Sequence, residues 1–230
     1  MKVLGIDSAT PIASVAILDS DTGRVLAAEQ SDAAGHRADL LVTIDAACKA
    51  AKLAPTAIEA VAIGAGPGSF TGLRIGMATA KGIAFAAGRP LWAVSSLAAL
   101  AQGQPDAAGL IVAVLDARRG EIYAGAYRRS GATIVPVGDE RVFAPAELAS
   151  FVAAQRAADE PITYVGDADY PELAALPGVW HVTPTGESVA RLALAGSHVN
   201  VLVGGAPSYI RPSEAEIRYP DGVPGALRKR

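Results

Sequence analysis

One apolar pattern occurs twice along this chain, and it constrains the fold more than any single motif. Residues 2–6 form a short apolar run that ends at Asp7, and residues 110–115 form another that ends at Asp116. Two further strand-like runs follow each, at 12–18 and 24–29 in the first half and at 121–127 and 133–137 in the second. Turn residues separate them, at 19–23 in one half and at Ser130 and Gly131 in the other, so each set reads as an antiparallel meander. A helix-period segment and another apolar strand come next in both halves: 36–52 then 61–63, and 145–157 then 162–165. The first half goes on with a helix after Thr71, a strand at 91–94 and a helix from Ser96; the second has a helix near 187–195. Two copies of one βββαβα unit predict an α/β protein of two similar lobes, residues 1–103 and 106–230, joined at 103–106. With 230 residues, 51% of them hydrophobic, the chain can bury a sizeable core.

The stretch VAIGAGPGSFTGLRIG at 61–76 is the most distinctive. Its apolar start reads as a buried strand, and the glycines after it permit backbone angles that a side chain would forbid. Beyond Thr71, the residues Leu73, Ile75, Met77, Ala80, Ile83 and Ala84 suit a packed helix, with Ser69 or Thr71 as its N-cap. A strand, a glycine loop and a helix N-terminus make a place where an anion or another backbone can come close. The loop is not a Walker A sequence, because Leu73 and Arg74 follow Gly72 where Lys and Ser or Thr would be needed. It also lacks the third glycine of a dinucleotide fingerprint. A sharp strand-to-helix turn that binds nothing is the competing reading.

Charge and cysteine content narrow the function classes. With 20 basic and 23 acidic residues the formal charge is −3, so no global pull toward nucleic acid is expected. The single Cys48 cannot form an internal disulfide and reads as a small core or interface residue. The apolar run at 3–6 is too short for a signal-peptide core, and longer apolar segments carry Arg74 and Lys81, so a cytoplasmic protein without a membrane span is expected.

A duplicated βββαβα unit with an acid after each first strand resembles the actin, sugar kinase and Hsp70 fold. That likeness implies a cleft between lobes in which two acid-bearing hairpins hold nucleotide phosphates and a metal. Asp7, with Ser8 and Thr10, matches the first hairpin; Asp116 matches the second in part, because Arg118 and Arg119 stand where glycine and small residues are usual. Asp7 could hold a hydrated cation, or cap the hairpin through its neighbours' N–H groups. The glycine pair that holds adenosine in those enzymes is not evident after Val165, where Gly166, Asp167 and Ala168 stand.

Five stretches make the match specific: IDSAT at the start, GHRADLL at 35–41, GAGPGSFTGLRIG at 64–76, LDARRGEIYAG at 115–125 and PSYIR at 207–211. In this order and spacing they resemble the bacterial TsaB (formerly YeaZ) family. The resemblance implies a partner subunit in making N6-threonylcarbamoyladenosine at position 37 of tRNA. Transfer would occur in the metal-bearing paralogue TsaD, with the ATPase TsaE completing the assembly and tRNA met only indirectly. No cofactor is expected for the chain alone, and ATP or ADP at a subunit boundary is left open.

The residues agree that this is not the catalytic paralogue. TsaD holds its metal with a His-x-x-x-His pair, whereas His36, His181 and His198 are far apart and Leu40 stands four residues after His36. Ser69 is not in a Gly-x-Ser-x-Gly elbow, so no serine nucleophile is expected either. No catalytic residue and no metal ligand is assigned. What is left is binding. The expected partner face comprises His36, Asp39, Leu40, Thr43, Ile44, Ala47, Met77 and Lys81, with Leu40 and Ile44 as apolar anchors and Leu41 and Cys48 given to the lobe's own core. By resemblance this face packs on matching helices of TsaD, or on a second copy when TsaD is absent. The vestigial phosphate site would comprise Asp7, Ser8, Thr10, Gly66, Gly68, Ser69, Thr71, Gly72 and Asp116. Paired arginines at 118–119 and 128–129 read as solvated turn residues or as phosphate contacts to tRNA. Tyr209 is expected under the lobe interface. The competing function class is a small actin-like ATPase or kinase with its own turnover.

Overall fold

A computed structural model of the chain describes residues 1–31, 40–176, 178–180, 182–196 and 198–210. The first half runs β1 (Lys2–Asp7), β2 (Ser14–Asp19), β3 (Arg24–Gln30), α1 (Leu40–Ala50), β4 (Ala60–Gly64), α2 (Phe70–Ala87), β5 (Leu91–Val94) and α3 (Ser96–Gln102). The second half follows with β6 (Leu110–Arg118), β7 (Glu121–Ser130), β8 (Thr133–Pro136), β9 (Arg141–Phe143), α4 (Leu148–Gln155), β10 (Ile162–Gly166), α5 (Pro171–Ala174), β11 (Gly178–Trp180) and α6 (Gly186–Leu194). A last short strand, β12 (Val199–Asn200), closes the described part.

The strands form two sheets of one topology. In the first the order is β12-β5-β4-β1-β2-β3, and in the second β11-β10-β6-β7-β8, with β9 also pairing to β7. Both have parallel central pairs, β1 with β4 and β6 with β10, and antiparallel meanders on the other side. The central strands are buried on both faces, which is why β1, β4 and β6 read as continuous apolar runs rather than alternating ones. The expected mixed α/β fold with duplicated lobes is what the chain adopts.

Helices and sheets stack in layers. On the outer face of the first sheet α1 and α2 cover Leu4, Ile6, Ile17 and Ile63 with Leu40, Ile44, Met77 and Ala80. The outer face of the second sheet is covered by Leu148, Phe151 and Val152 of α4 and Leu173 of α5. Between the sheets lie α3 and α6, and here the two halves exchange helices. α3 follows the first sheet but packs on β6, β7 and β8; α6 follows the second and packs on β1, β2 and β4. One continuous core therefore joins Val3 and Ala62 to Ile111 and Val165 through Leu97, Leu100, Val189 and Leu192. The approach is close: a Cβ on Gly5 would fall 2.0 Å from the Gly186 carbonyl oxygen, so only glycine lets α6 start there. A polar clasp lies beside this core. Tyr127 OH donates to Glu140 Oε1 at 2.6 Å, Ser95 Oγ donates to the same oxygen, and Ser95 Oγ also accepts from Ala98 N to cap α3.

Several boundaries differ from the sequence expectation. The first helix is described only from Leu40 to Ala50, and His36 and Asp39 lie outside the described residues, as do Arg211 and residues 228–230. The helix expected at 145–157 opens as a 3-10 turn at Pro145–Glu147 and runs as an α-helix only from Leu148 to Gln155. Strands β9 and β11 and the single-turn α5 are too short to carry a periodic signal and were not anticipated. Helix α6 and strand β12, assigned by sequence to the second lobe, return to the first sheet.

Candidate functional site

The glycine loop between β4 and α2 lies against the β1–β2 hairpin, and the glycines are there for that contact. A Cβ on Gly72 would fall 2.1 Å from Ser8 O, one on Gly68 2.4 Å from Ala9 O, and one on Gly76 2.1 Å from Ser8 Oγ. Ser69 N donates to Ala9 O at 2.7 Å, and Ser8 Oγ donates to Gly72 O at 3.0 Å. Ser69, not Thr71, caps α2, its Oγ accepting from Gly72 N at 3.3 Å. Thr10 Oγ1 donates to Ile12 O at 2.9 Å, which holds the hairpin turn. Of the residues expected to cradle phosphate, Ser8, Gly68, Ser69 and Gly72 are thus in contact, while Asp116 stands on the second sheet, and the space beside these glycines is filled by the chain's own hairpin.

Asp7 sits at the centre of this packing, fully buried. Its Oδ1 accepts from Ala9 N at 2.8 Å and its Oδ2 from Ser96 Oγ at 2.7 Å, while Gly66 N donates to Ser96 Oγ at 3.2 Å. Burial lifts its carboxyl to about 6, against these hydrogen bonds and with a smaller push from the negative Asp167. A Cβ on Gly64 would lie 1.8 Å from Asp7 Oδ2, so β4 must end in glycine for the acid to fit. Of the two readings left open by sequence, the hydrogen bond to Ala9 N is the capping one.

The second acid is held differently. Asp116 is 23% exposed at its side chain; its Oδ1 accepts from Arg118 N at 2.7 Å and from Tyr170 OH at 2.9 Å, and its Oδ2 pairs with the Arg118 guanidinium at 2.9 Å. Arg118 and Arg119 have φ of +63° and +59°, the left-handed region that favours glycine, and Gly120 continues the turn at +76°. Asp167 stands between the two sites: its Oδ1 accepts from Asp116 N at 3.3 Å, and burial lifts its carboxyl against the pull of that hydrogen bond. Among the described residues no group of three or more His, Cys, Asp or Glu side chains is placed to hold a metal ion, and no helix is long and apolar enough to cross a membrane. His198 stacks on Trp92 at 4.8 Å between ring centroids.

Most of the described residues expected to meet a partner lie in the lobe's own core instead. Leu40, Thr43, Ile44, Ala47 and Cys48 point onto the sheet and are buried, and Met77 joins them in the same core. Leu41, given to the core by sequence, is instead 54% exposed, with Val42 at 62%. The reason is phase: residues 40, 44, 47 and 48 share the sheet-facing side, which turns 41 and 42 outward. Ile44 and Leu40 are therefore not free anchors. Lys81 is not free either, since its Nζ donates to Gly205 O. On α2 the outward row is Ile75, Ala78, Gly82 and Phe85, all exposed, with Phe85 at 80% and open space above Gly82. Sequence reasoning passed over Phe85. The available signal was its place one residue after the inward Ala84, on the phase opposite Met77 and Ala80.

The remaining sequence candidates take structural roles. Arg128 pairs with Glu160 at 2.6 Å and donates to Gln155 O, and Arg129 donates to Gln104 O at 2.7 Å; they fasten the lobe and are not solvated turn residues. Tyr209 packs on Phe70, ring centroids 5.1 Å apart, beside α2 rather than under the lobe interface.

Comparison with known proteins agrees with this architecture. The model of the family described as "TsaD: tRNA N6-adenosine threonylcarbamoyltransferase" matches residues 30–173. The chain is 31% identical to the tRNA threonylcarbamoyladenosine biosynthesis protein TsaB of Bacillus subtilis (strain 168), over 72% of this chain and 71% of that one. It is 38% identical to TsaB of Escherichia coli (strain K12), a match that spans about half of each, 56%. Among solved structures, YeaZ from Pseudomonas aeruginosa superposes with a TM-score of 0.72 at 29% identity, covering 90% of this chain and 99% of that one. The activator of the 2-hydroxyisocaproyl-CoA dehydratase from Clostridium difficile shares the fold, with a TM-score of 0.51 at 10% identity, covering 86% of this chain and 96% of that one. A duplicated lobe pair, a glycine loop seated on the first hairpin and these matches together place the chain in the TsaB (YeaZ) family of tRNA threonylcarbamoyladenosine biosynthesis proteins.

Proposed function

We propose that this chain is a non-catalytic subunit of the tRNA N6-threonylcarbamoyladenosine transferase, and that it binds and activates TsaD through the outer face of α1 and α2. The observation that carries this reading is the apolar row Ile75, Ala78, Gly82 and Phe85, flanked by Leu41 and Val42, on helices whose inner faces are already committed to the core. Short side chains in the middle of the row let another helix approach closely, and the large ones at its ends supply anchors. The occupant is the matching helix pair of TsaD, which shares the fold and so offers a face of the same kind. With TsaE the assembly acts on tRNA, and this subunit meets the tRNA only through its partners. When TsaD is absent, a second copy takes the same face. The protein works in the cytoplasm and takes no cofactor alone; ATP or ADP belongs at a subunit boundary.

The filled glycine loop supports the scaffold over an actin-like ATPase or kinase, since Asp7 is turned inward and hydrogen bonded at both oxygens. Reconstituted tRNA modification, with and without this chain, is the direct test, paired with co-elution on TsaD. Phe85→Asp and Ile75→Glu leave the melting curve unchanged and weaken TsaD binding at least ~30-fold each, the scale of an interface anchor. Val135→Glu, on an exposed residue of the second lobe, leaves binding intact. Full-rate modification without this chain overturns the proposal. So does ATP binding with phosphate release by the chain alone.

A further inference from the structure

The stretch PSYIR contributes nothing to the acid-bearing hairpins or to the apolar row, yet its described part is tied closely to α2. Residues 198–210 run back along the first lobe after α6. They begin as an edge strand, β12 pairing antiparallel with β5, and Val201 N donates to Leu91 O at 2.9 Å. Val201 and Leu202 then enter the core beneath α2. Halfway along the helix, the Lys81 ammonium donates to Gly205 O, and a Cβ on Gly205 would fall 2.2 Å from Val201 Cβ, so the segment is folded tightly on itself there. At the glycine loop Ser208 N donates to Ala65 O at 2.7 Å. Gly66 has a φ of +110°, and a Cβ on it would lie 2.8 Å from Ser208 O. At the start of α2 three side chains close a triangle. Tyr209 stacks on Phe70, the Arg74 guanidinium carbon lies 3.8 Å over the Phe70 ring, and Arg74 Nε donates to Tyr209 OH at 3.3 Å.

These contacts fall at the loop, at the first turn and at the middle of one helix, and the helix is the one that carries Ile75 and Phe85. Its own grip on the sheet is modest, because apart from Leu73 and Met77 its buried residues are alanines and a glycine. We infer that residues 198–210 are a positioning strap that holds α2 in its docking geometry, with Tyr209 and Lys81 as the two fasteners. This rests on the docking reading above. Arg74 follows from it as a residue whose charge is used within the chain, against Phe70 and Tyr209, at the edge of the partner face.

The test uses the full chain. Tyr209→Ala and Lys81→Met, singly and together, are compared with wild type by hydrogen exchange and by titration against TsaD. In the double variant the amides of the first two turns of α2 exchange faster, while those of β1, β4 and β6 are unchanged. If the docking-competent arrangement falls to about a tenth of the population, affinity for TsaD falls about tenfold. Tyr209→Phe keeps the ring contact and restores most of both readouts. Unchanged exchange in α2, or faster exchange with wild-type affinity, overturns the inference. Should wild type itself fail to bind TsaD, the docking proposal fails, and the strap is then judged by exchange alone.

Discussion

Asp7 and Asp116 occupy equivalent places, each near the C-terminal end of the central strand of its lobe, and the protein treats them in opposite ways. The first is sealed in, held by a backbone N–H and a serine hydroxyl, and covered by a loop of glycines. The second is partly open and neutralised by the arginine two residues on. Their surroundings diverge in step. The helix after β4 has 18 residues, and the helix after β10 has 4. The first lobe turns Leu41, Val42, Ile75 and Phe85 outward, whereas on the second Val135 is the one large apolar side chain exposed among the described residues of β6 through α5. The two lobes share one sheet topology, and the first exposes more large apolar side chains on its helices. The second keeps the sheet and the layering and serves as ballast for the shared core.

Four measurements can break or sharpen this contrast. Gly64→Ala attacks the sealed site directly: its Cβ would meet the Asp7 carboxylate and Ser96 Oγ, neither free to move, and the fold loses about 4 kcal/mol in denaturant titration. A much smaller loss would mean that the first lobe is looser than its packing implies. Asp7→Asn tests the buried charge. Because burial raises this carboxyl to about 6 from 3.8, the folded chain keeps a proton that the unfolded chain gives up between those values. The contribution of protonated Asp7 is full below pH 4 and is lost as pH rises through about 6. The amide has no charge to bury, so the variant is more stable than wild type by about 3 kcal/mol at pH 8, and the gap closes near pH 4. A flat difference across that range removes the argument.

The second lobe yields smaller effects. Gly120→Ala meets open space and carries only the cost of its left-handed φ, about 1 kcal/mol in the same titration. Smallest is Arg128→Ala, at a pair whose arginine is partly exposed. The bond to Arg128, with backbone help from Ala157, holds the Glu160 carboxyl down at about 2, and NMR titration of the variant finds it moved back toward 4.5 with little change in melting.

Much of the architecture was legible because periodicity and turn chemistry act locally. β5 falls where the apolar run puts it, α3 begins at Ser96 as expected, and the meander turns fall at 19–23 and at Ser130 and Gly131. The family was legible through the glycine loop, whose residues are fixed by backbone contacts at Ser8 and Ala9. Less legible was the direction each helix faces. On α1 an error in phase moved Leu41 inward and Ile44 outward, because LLVTI is apolar at four of its five positions; the orienting signal was Asp45 and Lys49, one and two turns on from Leu41, which pair on the outer side. Long-range fastening was invisible as well. Nothing in Arg128 or Arg129 announces Glu160 or Gln104, and nothing in Lys81 announces Gly205, since these partners are set only when the sheets close.

The crossed arrangement of α3 and α6 has a consequence for how such a molecule can exist at all. Severed near residue 104, each fragment would keep a sheet stripped of its cover and a helix with no seat, so neither would be soluble by itself. Mixed together, the fragments would find each other, because each carries the lid the other lacks.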